Sequence, residues 1–371
     1  MLSTDASIFI QGSVAQERML EYAKLFEELH VVVYKKATSD RRQATSIGNL
    51  FLYSTNTSFR LAYFGQAYRT AIQILKYSNI QNEKWVVTTQ DPFETGLVGV
   101  WLKKKFQIPL QVQCHVDFLN KYFWKESLKN KVRTLLAKFV LKRADGIRVV
   151  SERILKAFSV QRLAFRDKID ILPIFVDIQK IINVPIKTDL HKKYSKYDFI
   201  ILMASRLSAE KNIGLAIKAM TSVVSQYPNV LLLIVGAGHE INNLKAEISN
   251  YKLSKNIIIE PWSDDLLSYY KTADLFLLTS NYEGYGRTII EVLVAGVPIV
   301  STDVGIASEY VPNALGIIVP VCDRVALSGA ILEMIKRKER GNLIVRGGVV
   351  KDMPSHDEYL RLYKESLEKL C

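Results

Sequence analysis

Short runs of β-branched and other apolar residues alternate with amphipathic stretches along almost all of this 371-residue chain. In the first half, the predicted strands cover residues 30–34, 84–89, 109–114, 147–151 and 169–175. The predicted helices between them include residues 14–29, 59–77 and 129–142. The second half repeats the rhythm, with strands predicted at residues 199–204, 230–235, 256–260, 275–279, 298–301 and 316–320. Strand, helix and strand at this spacing predict parallel sheets with right-handed crossovers.

The same rhythm predicts an α/β fold with two doubly wound, parallel-sheet domains facing a cleft. A length of 371 residues allows two or three domains, and a polar stretch rich in Lys and Tyr at residues 177–198 marks the boundary. We predict domains at residues 1–178 and 179–354, and a terminal helix at 355–371 that crosses back to the first domain. A capping-box sequence at residues 355–358 begins this helix. Ligands of such folds bind at the carboxyl ends of the strands.

Composition excludes several other classes of protein. Hydrophobic residues make up 49% of the chain and charged residues 23%, which excludes wholesale disorder and collagen-like repeats. The three cysteines are far apart and lack metal-site or redox spacing. No signal peptide is visible, and no apolar run approaches the roughly 18 to 20 residues of a membrane span. We therefore expect a cytoplasmic protein whose contact with any membrane is peripheral.

One segment combines a strand end, a glycine-containing loop and a helix start. A strand is predicted to end at Thr279, and a helix to begin near Gly286. The first turn of a helix presents unpaired amides, which suit an anion or a sugar hydroxyl. Glu283 precedes the helix and Glu291 lies inside it, so two carboxylates can hold different parts of one ligand. Two Glu residues eight apart are weak evidence alone, because that spacing is common by chance.

Two other segments follow predicted strands of the second domain. Arg206 and Lys211 lie between a strand end and a helix start, where both can converge on a diphosphate. Taken alone, two such cations are more often solvated surface residues. Gly236 and Gly238 form a short glycine turn after the next strand, and this turn lacks the third glycine of a dinucleotide fingerprint.

Together these segments resemble glycosyltransferase family 4, whose members are retaining enzymes of the GT-B fold with two Rossmann-like domains. The spacing of Glu283 and Glu291 matches the family's E-x7-E motif, and the segment from Arg206 to Asn212 resembles its R-L-x-x-x-K-N sequence. The resemblance covers residues 199–321 and is thinner elsewhere. The chain departs from the family pattern at its start, where the first strand is predicted to be clipped.

The resemblance implies transfer of a sugar from a nucleotide-diphosphate donor, with a UDP-sugar favoured, to a hydroxyl acceptor such as a membrane-associated lipid or glycan. It assigns the diphosphate to Arg206 and Lys211, the donor sugar to Glu283 and the ribose to Glu291, with no cofactor and no metal. The implied donor-binding residues are Arg206, Lys211, Gly236, Gly238, Trp262, Glu283, Gly284, Tyr285, Gly286, Arg287 and Glu291. The implied catalytic residues are Glu283, His115, Arg206 and Lys211.

Four residues of the first domain are expected on the acceptor side. They are Gly12, Asp91, His115 and Asp117. His115 follows a predicted strand, where it either binds substrate or satisfies loop carbonyl groups. Asp91 also ends a strand, where it either faces the cleft or caps the following helix.

The net charge of +13 points to an anionic partner: nucleic acid, an acidic membrane or a phosphate-bearing small molecule. Residues 101–168 contain 17 Lys and Arg against 5 Asp and Glu, and so hold nearly the whole excess. A basic helix edge is predicted from Lys121, Lys125, Lys129 and Arg133, beside the aromatic residues Phe118, Tyr122, Phe123 and Trp124. A core-facing stripe is predicted on the opposite side from Leu128, Val132, Leu135 and Phe139. Such an edge fits an anionic membrane surface, with a solvated helix face as the alternative.

Two other functions remain open from the sequence. A nucleotide-sugar epimerase of the same fold would isomerise its donor without an acceptor. A nonenzymatic binder of nucleotide sugars or nucleic acid would bind without turnover, although the basic residues lack any nucleic-acid motif.

Overall fold

The computed structural model describes residues 1–35, 44–57, 62–77, 84–160, 166–341 and 353–371. Two compact units divide the chain. The N-terminal unit contains residues 1–173 and 354–371, and the C-terminal unit contains residues 174–353. The sequence prediction placed these divisions at residues 178/179 and 354/355, whereas the units divide at residues 173/174 and 353/354.

The N-terminal unit is built on an eight-stranded sheet with the order β3-β4-β2-β1-β5-β6-β7-β8. Its strands are β1 (Leu2–Ser3), β2 (Leu29–Val33), β3 (Ala44–Ile47), β4 (Leu50–Ser54), β5 (Val87–Thr89), β6 (Leu110–Cys114), β7 (Gly146–Val149) and β8 (Ile169–Ile171). Its helices before β8 are α1 (Val14–Ala23), α2 (Ala62–Tyr77), α3 (Glu94–Phe106), α4 (Lys121–Glu126), α5 (Leu128–Leu141) and α6 (Glu152–Val160).

The sequence prediction of this sheet needs three corrections. The strands β3 and β4 were not predicted, and β3 pairs antiparallel with β4, so the sheet is not wholly parallel. Helix α1 ends at Ala23 rather than at residue 29, because β2 already begins at Leu29. Strand β8 ends at Ile171 rather than at residue 175, because Pro173 lacks the N–H group that would continue the pairing. The first strand is short, as predicted: β1 has two residues, and it lies between β2 and β5. Residues 59–61 of the predicted second helix lie outside the described residues.

The C-terminal unit is built on a six-stranded, all-parallel sheet with the order β11-β10-β9-β12-β13-β14. Its strands are β9 (Phe199–Ala204), β10 (Val230–Val235), β11 (Ile257–Glu260), β12 (Leu275–Leu278), β13 (Ile299–Thr302) and β14 (Gly316–Val319). Its helices are α7 (Ile178–Asn183), α8 (Leu190–Lys193), α9 (Ile213–Gln226), α10 (Ile241–Asn250), α11 (Leu266–Thr272), α12 (Arg287–Ala295), α13 (Ala307–Tyr310) and α14 (Arg324–Glu339).

Strands β9 and β10 are buried at every residue, which explains their uninterrupted apolar sequence. The strand order is that of a doubly wound sheet, in which strands are added from β9 outward to β11 and then, on the other side of β9, from β12 outward to β14. We call the position between β9 and β12 the reversal point of the sheet. Loops that follow these two strands leave the sheet on opposite sides and open a crevice for a ligand.

The last helix, α15 (His356–Glu368), is part of the N-terminal unit. The hydroxyl of Ser355 accepts a hydrogen bond from the backbone N–H of Glu358, and this bond confirms the predicted cap. The buried amide of Gln111 in β6 donates to the carbonyl oxygen of Ser366 at 2.9 Å, so α15 is tied to the centre of the sheet.

Candidate active site

The reversal point of the C-terminal sheet brings predicted site residues together. Arg206 and Lys211 follow β9, and Glu283 follows β12. Lys211 Nζ donates to Glu283 Oε1, and both side chains are largely buried, at 15% and 16% exposed. Ser280 Oγ donates to the same carboxylate oxygen at 2.8 Å. A cation and a carboxylate that are 72 residues apart in sequence thus meet at the point where a doubly wound sheet binds its ligand.

The loops that carry this ion pair are tied together by their backbones. The N–H of Asn281 donates to the carbonyl oxygen of Glu210 at 2.8 Å, and Thr279 Oγ1 donates to that of Lys211 at 2.8 Å. Arg206 lies on the same loop, 3.2 Å from Glu210, but its side chain is 79% exposed. Lys211 is therefore held in place, whereas the guanidinium of Arg206 is accessible to an anion.

Gly236 and Gly238 have a steric role that the sequence pattern did not specify. A Cβ atom on Gly236 would lie 1.9 Å from the carbonyl oxygen of Ser205, and one on Gly238 would lie 2.2 Å from that of Leu207. The N–H of Leu207 donates to the carbonyl oxygen of Ala237 at 2.9 Å. Both glycines therefore let the β10 loop pack against the loop that carries Arg206, and their direct contact with a donor stays a prediction.

Replacing Gly238 by alanine is expected to destabilise the protein by about 1–3 kcal/mol, because the new methyl group overlaps the Leu207 backbone. Urea denaturation measures the change. Gly329→Ala is the matched control, since a Cβ at that helical position meets nothing within 4 Å. Equal stabilities of the two variants would contradict the packing role.

Helix α12 begins at Arg287, one residue after the predicted start near Gly286. Gly286 precedes it with a φ of +87°, a left-handed conformation that favours glycine, and no side chain caps the first turn. The neighbouring Gly284 is buried. Tyr285 is 2% exposed and its hydroxyl faces the sulfur of Met353, so any contact it makes with a donor must come from its backbone.

Glu291 lies in the second turn of α12 and is 9% exposed. Its carboxylate accepts from Arg287 Nε at 2.7 Å and from the hydroxyl of Tyr270 at 3.4 Å. Glu283 and Glu291 are thus each paired with a cation in this structure. Sequence analysis did not identify Tyr270 or Ser280, because their role depends on contacts with Glu291 and Glu283 that the sequence motifs do not reveal.

Trp262 lies in the loop after β11, with 57% of its surface exposed. Glu260, the last residue of β11, anchors this loop. Its carboxylate accepts from Lys193 Nζ at 2.5 Å and from the hydroxyl of Tyr269 at 2.9 Å. These bonds lower the pKa of Glu260 despite its partial burial, and they fix the start of the loop on which Trp262 is presented.

The residues predicted on the acceptor side lie in the N-terminal unit, whose strand order reverses between β1 and β5. Gly12 follows β1 with a φ of +71°, and its N–H donates to Gln16 Oε1 of α1 at 3.0 Å. Asp91 follows β5, and its Oδ1 accepts from the N–H groups of Phe93 and Thr95 at 2.8 and 3.3 Å. Asp91 thus caps α3, and burial raises the pKa of its carboxyl to about 6. Its contact with an acceptor stays a prediction.

His115 directly follows β6, and its Nε2 lies 3.0 Å from Gln113 Oε1. Burial lowers the pKa of the imidazole to about 3, with further contributions from the charges of Arg148 and Arg18. The ring is therefore neutral at physiological pH. Asp117 is 6% exposed and accepts from Asn120 Nδ2 at 3.3 Å, and burial raises the pKa of its carboxyl. The buried bonds of Asp117 indicate that it shapes this loop.

The predicted orientation of α5 was wrong. The four residues of the stripe assigned to the core are exposed: Leu128 by 78%, Val132 by 63%, Leu135 by 61% and Phe139 by 41%. The residues that α5 buries instead are Asn130, Thr134, Ala137, Val140 and Leu141. The cause is close packing on α3, where Val140 lies against Gly96 and Arg133 pairs with Glu94 at 2.6 Å.

We define the α5 face by its exposed apolar residues Trp124, Leu128, Val132, Leu135 and Phe139. Exposed cations lie beside this face on α4, on α5 and directly after α5: Lys121, Lys125, Lys129, Lys142 and Arg143. Phe118 and Phe123, which were predicted on the basic edge, are buried. Among the helices in the described part of the chain, none is both long and apolar enough to cross a membrane.

Comparison with known proteins gives a family match to this chain. The family model described as glycosyl transferases group 1 matches residues 187–347. An alpha-monoglucosyldiacylglycerol synthase from Streptococcus pneumoniae is 27% identical over 258 residues, which cover 65% of this chain and 56% of the relative. A UDP-Gal:alpha-D-GlcNAc-diphosphoundecaprenol alpha-1,3-galactosyltransferase from Escherichia coli is 24% identical over 73% of each chain. The match thus spans only a little over half the length of the streptococcal relative.

Solved structures of similar fold extend over nearly the whole chain. Sucrose-phosphate synthase from Thermosynechococcus elongatus superposes with a TM-score of 0.69 at 19% identity, covering 96% of this chain and 88% of that one. Anabaena Alr3699/HepE in complex with UDP-glucose superposes with a TM-score of 0.69 at 18% identity, covering 99% and 94%. These similarities confirm the predicted GT-B fold.

Proposed function

We propose that the chain is a member of glycosyltransferase family 4, a retaining enzyme that moves a sugar from a nucleotide-diphosphate sugar to a hydroxyl acceptor. The observation that carries this proposal is the contact of Lys211 with Glu283 at the reversal point of the C-terminal sheet. A buried cation next to a carboxylate suits a donor whose phosphates are anionic and whose sugar carries hydroxyl groups.

Different residues of the C-terminal unit are proposed to bind different parts of the donor. Lys211 and the accessible Arg206 bind the diphosphate, and the uncapped first turn of α12 adds backbone N–H groups. Glu283 accepts hydrogen bonds from hydroxyls of the sugar. Glu291 accepts them from the ribose once its bond with Arg287 yields. We favour UDP as the nucleotide, since the Escherichia coli relative is named for UDP-Gal and the Anabaena structure holds UDP-glucose.

In the proposed reaction, the bond between the anomeric carbon and the diphosphate oxygen breaks, and its electron pair stays with the diphosphate. The acceptor oxygen bonds to the anomeric carbon on the same face, and its proton passes to the departing phosphate oxygen. No side chain acts as a nucleophile. The cations of Lys211 and Arg206 stabilise the charge that develops on the diphosphate, which is the largest electrostatic demand of the step.

We propose that these two cations make a metal ion unnecessary. Two positive charges bound to the diphosphate would offset the negative charge that a metal ion otherwise neutralises. In the described part of the chain, no three His, Cys, Asp or Glu side chains form a cluster that could hold a metal ion. The proposal rests on the two cations themselves.

We propose a glycan or a lipid-linked molecule as acceptor, used by a cytoplasmic enzyme at an anionic membrane surface. The names of two relatives include diacylglycerol and diphosphoundecaprenol, both lipids. The α5 face supports the same class of acceptor, because exposed apolar residues beside exposed lysines can insert between anionic headgroups. Each basic residue near such a surface contributes about 1 kcal/mol to binding.

The double substitution Val132→Glu and Leu135→Glu is expected to reduce binding to vesicles with anionic lipid by at least about tenfold, because it places two charges in the apolar stripe. Flotation of the full chain with vesicles measures binding. Val325→Glu is the control, since Val325 is 74% exposed on α14 of the other unit. Undiminished flotation of the double variant would rule out α5 as the membrane contact.

Isothermal titration with a panel of nucleotide sugars tests the proposed donor class. The proposal predicts saturable binding of at least one UDP-sugar and release of UDP when an acceptor is supplied. Isomerised donor without release of UDP would favour an epimerase. Salt-dependent binding of RNA or DNA with no binding of any nucleotide sugar would favour a nucleic-acid binder.

A further inference from the structure

A continuous chain of polar side chains runs through the centre of the N-terminal unit and ends at His115. It passes from Ser366 of α15 to Gln111 and Thr88, then to Gln113, and all of its links lie between 2.9 and 3.1 Å. The three side chains between its ends, Gln111, Thr88 and Gln113, are all buried. Gln113 also faces Arg148, its register partner on the neighbouring strand β7.

A backbone carbonyl at one end of this hydrogen-bonded series determines which group of each side chain donates and which accepts. Since the Ser366 carbonyl oxygen can only accept, the atom of Gln111 that faces it is the amide nitrogen. Gln111 Oε1 then accepts the hydroxyl proton of Thr88. Thr88 Oγ1 is left with lone pairs only, so the atom of Gln113 that faces it is again the amide nitrogen.

Arg148 fixes the same orientation from the other side. A guanidinium can only donate, so the Gln113 atom 3.3 Å from Arg148 Nη1 is the oxygen. Arg148 is itself immobile, because it is 2% exposed, donates to the Tyr359 hydroxyl at 2.9 Å and lies 5.2 Å from the ring centre of Tyr363. Two independent constraints thus place Gln113 Oε1 against the ring of His115.

We propose that Gln113 and Arg148 are positioning residues that hold His115 as the neutral tautomer with its proton on Nε2. Gln113 Oε1 can only accept, so Nε2 donates to it and Nδ1 is left as the acceptor of the ring. Such a ring accepts a hydrogen bond from a hydroxyl and offers nothing to a phosphate or carboxylate. Given the proposed function, the class of ligand for His115 is a hydroxyl of the sugar or of the acceptor.

The charges around the ring act in the same direction. Burial of the ring opposes a second proton, and the positive charges of Arg148 on β7 and Arg18 on α1 add to this effect. His115 therefore serves as a hydrogen-bond acceptor and is a poor general base, because a base with a pKa well below 6.5 has little affinity for a proton at neutral pH.

Nuclear magnetic resonance of the full chain with ¹⁵N-labelled histidine tests the tautomer without any substrate. His115→Gln identifies the signal among the five histidines. We expect a single Nε2–H tautomer that does not titrate between pH 5 and 8. A proton on Nδ1, or titration near pH 6.5, would overturn the proposal. Absence of transferase activity would contradict the proposed function and leave this result unaffected.

Two variants of Gln113 separate positioning from mere packing. Gln113→Leu removes the acceptor, so we expect both tautomers to appear and kcat/KM to fall by about tenfold, as for loss of one hydrogen bond. Gln113→Glu keeps an acceptor oxygen, so we expect the Nε2–H tautomer to persist while the added negative charge raises the pKa of His115. An unchanged tautomer in the leucine variant, or an Nδ1–H tautomer in the glutamate variant, would refute the role of Gln113.

Discussion

Replacement of Lys211 by methionine is expected to lower kcat for sugar transfer by about 10²- to 10³-fold, the loss typical when one preorganised charge-stabilising donor is removed. Methionine preserves most of the length and apolar surface of the lysine stem. The substitution removes the ammonium group that we propose binds the departing diphosphate, and Ser280 still holds Glu283 in position. The effect should therefore appear in kcat more than in folding. Steady-state kinetics and a thermal melt of the same preparation measure the two.

Lys218→Met provides a matched control. Lys218 also pairs with a glutamate, at 3.2 Å from Glu247, but it lies on α9 with a side chain that is 45% exposed. Its replacement should leave kcat within about twofold, since exposed ion pairs contribute only 0–1 kcal/mol. Comparable losses in both variants would show that Lys211 acts through stability rather than at the diphosphate.

Glu283→Gln is expected to impair use of the nucleotide sugar without weakening the binding of UDP alone. The carboxylate is the group proposed to hold the sugar hydroxyls, so kcat/KM for the nucleotide sugar should fall by roughly 10- to 100-fold, the loss of about 1.5–3 kcal/mol for a hydrogen bond to a charged group. In the free protein the same carboxylate forms an ion pair with the ammonium group of Lys211. Its neutralisation frees the ammonium for phosphate, and UDP alone should bind as tightly as before or a few-fold more tightly.

Isothermal titration with UDP and steady-state kinetics measure the two effects separately. Glu247→Gln, which removes the acidic partner of Lys218, should change neither. If Glu283→Gln weakened UDP and the nucleotide sugar equally, Glu283 would be a structural residue of the loop, and its assignment to the sugar would be wrong.

The C-terminal unit was the part of the fold most open to prediction from sequence. Strands β9 and β10 are buried on both faces, so their apolar runs coincide with the observed strands residue for residue. The N-terminal sheet was less predictable, because β3 is exposed at all four residues and carries no apolar pattern. Its two-residue strand β1 is too short to show any pattern.

Helix α5 shows where a sequence pattern misleads. Its apolar residues recur at helical spacing, which normally indicates the face that packs on the core. The core accepts the other face because α3 approaches closely at Gly96, where Val140 packs. This buried face of α5 also carries the small or polar residues Thr134 and Ala137. Thr134 satisfies its hydroxyl by donating to the carbonyl oxygen of Phe118 at 3.1 Å. The apolar stripe is thereby left on the exposed face of α5.

Contacts between distant segments explain what else the sequence could not show about the site. Lys211 and Glu283 were each identified from local motifs, but their contact spans 72 residues. The link of Gln113 to Arg148 depends on the register of β6 and β7, which spacing along the chain does not reveal. Motifs predicted the residue types, and the topology of the sheets determined which of them meet.

Product analysis of a reaction with a UDP-sugar panel and lipid vesicles tests the proposed retaining transfer most directly. Mass spectrometry detects the glycosylated product, and proton magnetic resonance gives its anomeric configuration. We expect UDP release in proportion to product, with the sugar in the configuration that it had in the donor and about 10²- to 10³-fold slower product formation by the Lys211→Met variant. A product of inverted configuration, or full turnover by that variant, would contradict the proposed mechanism.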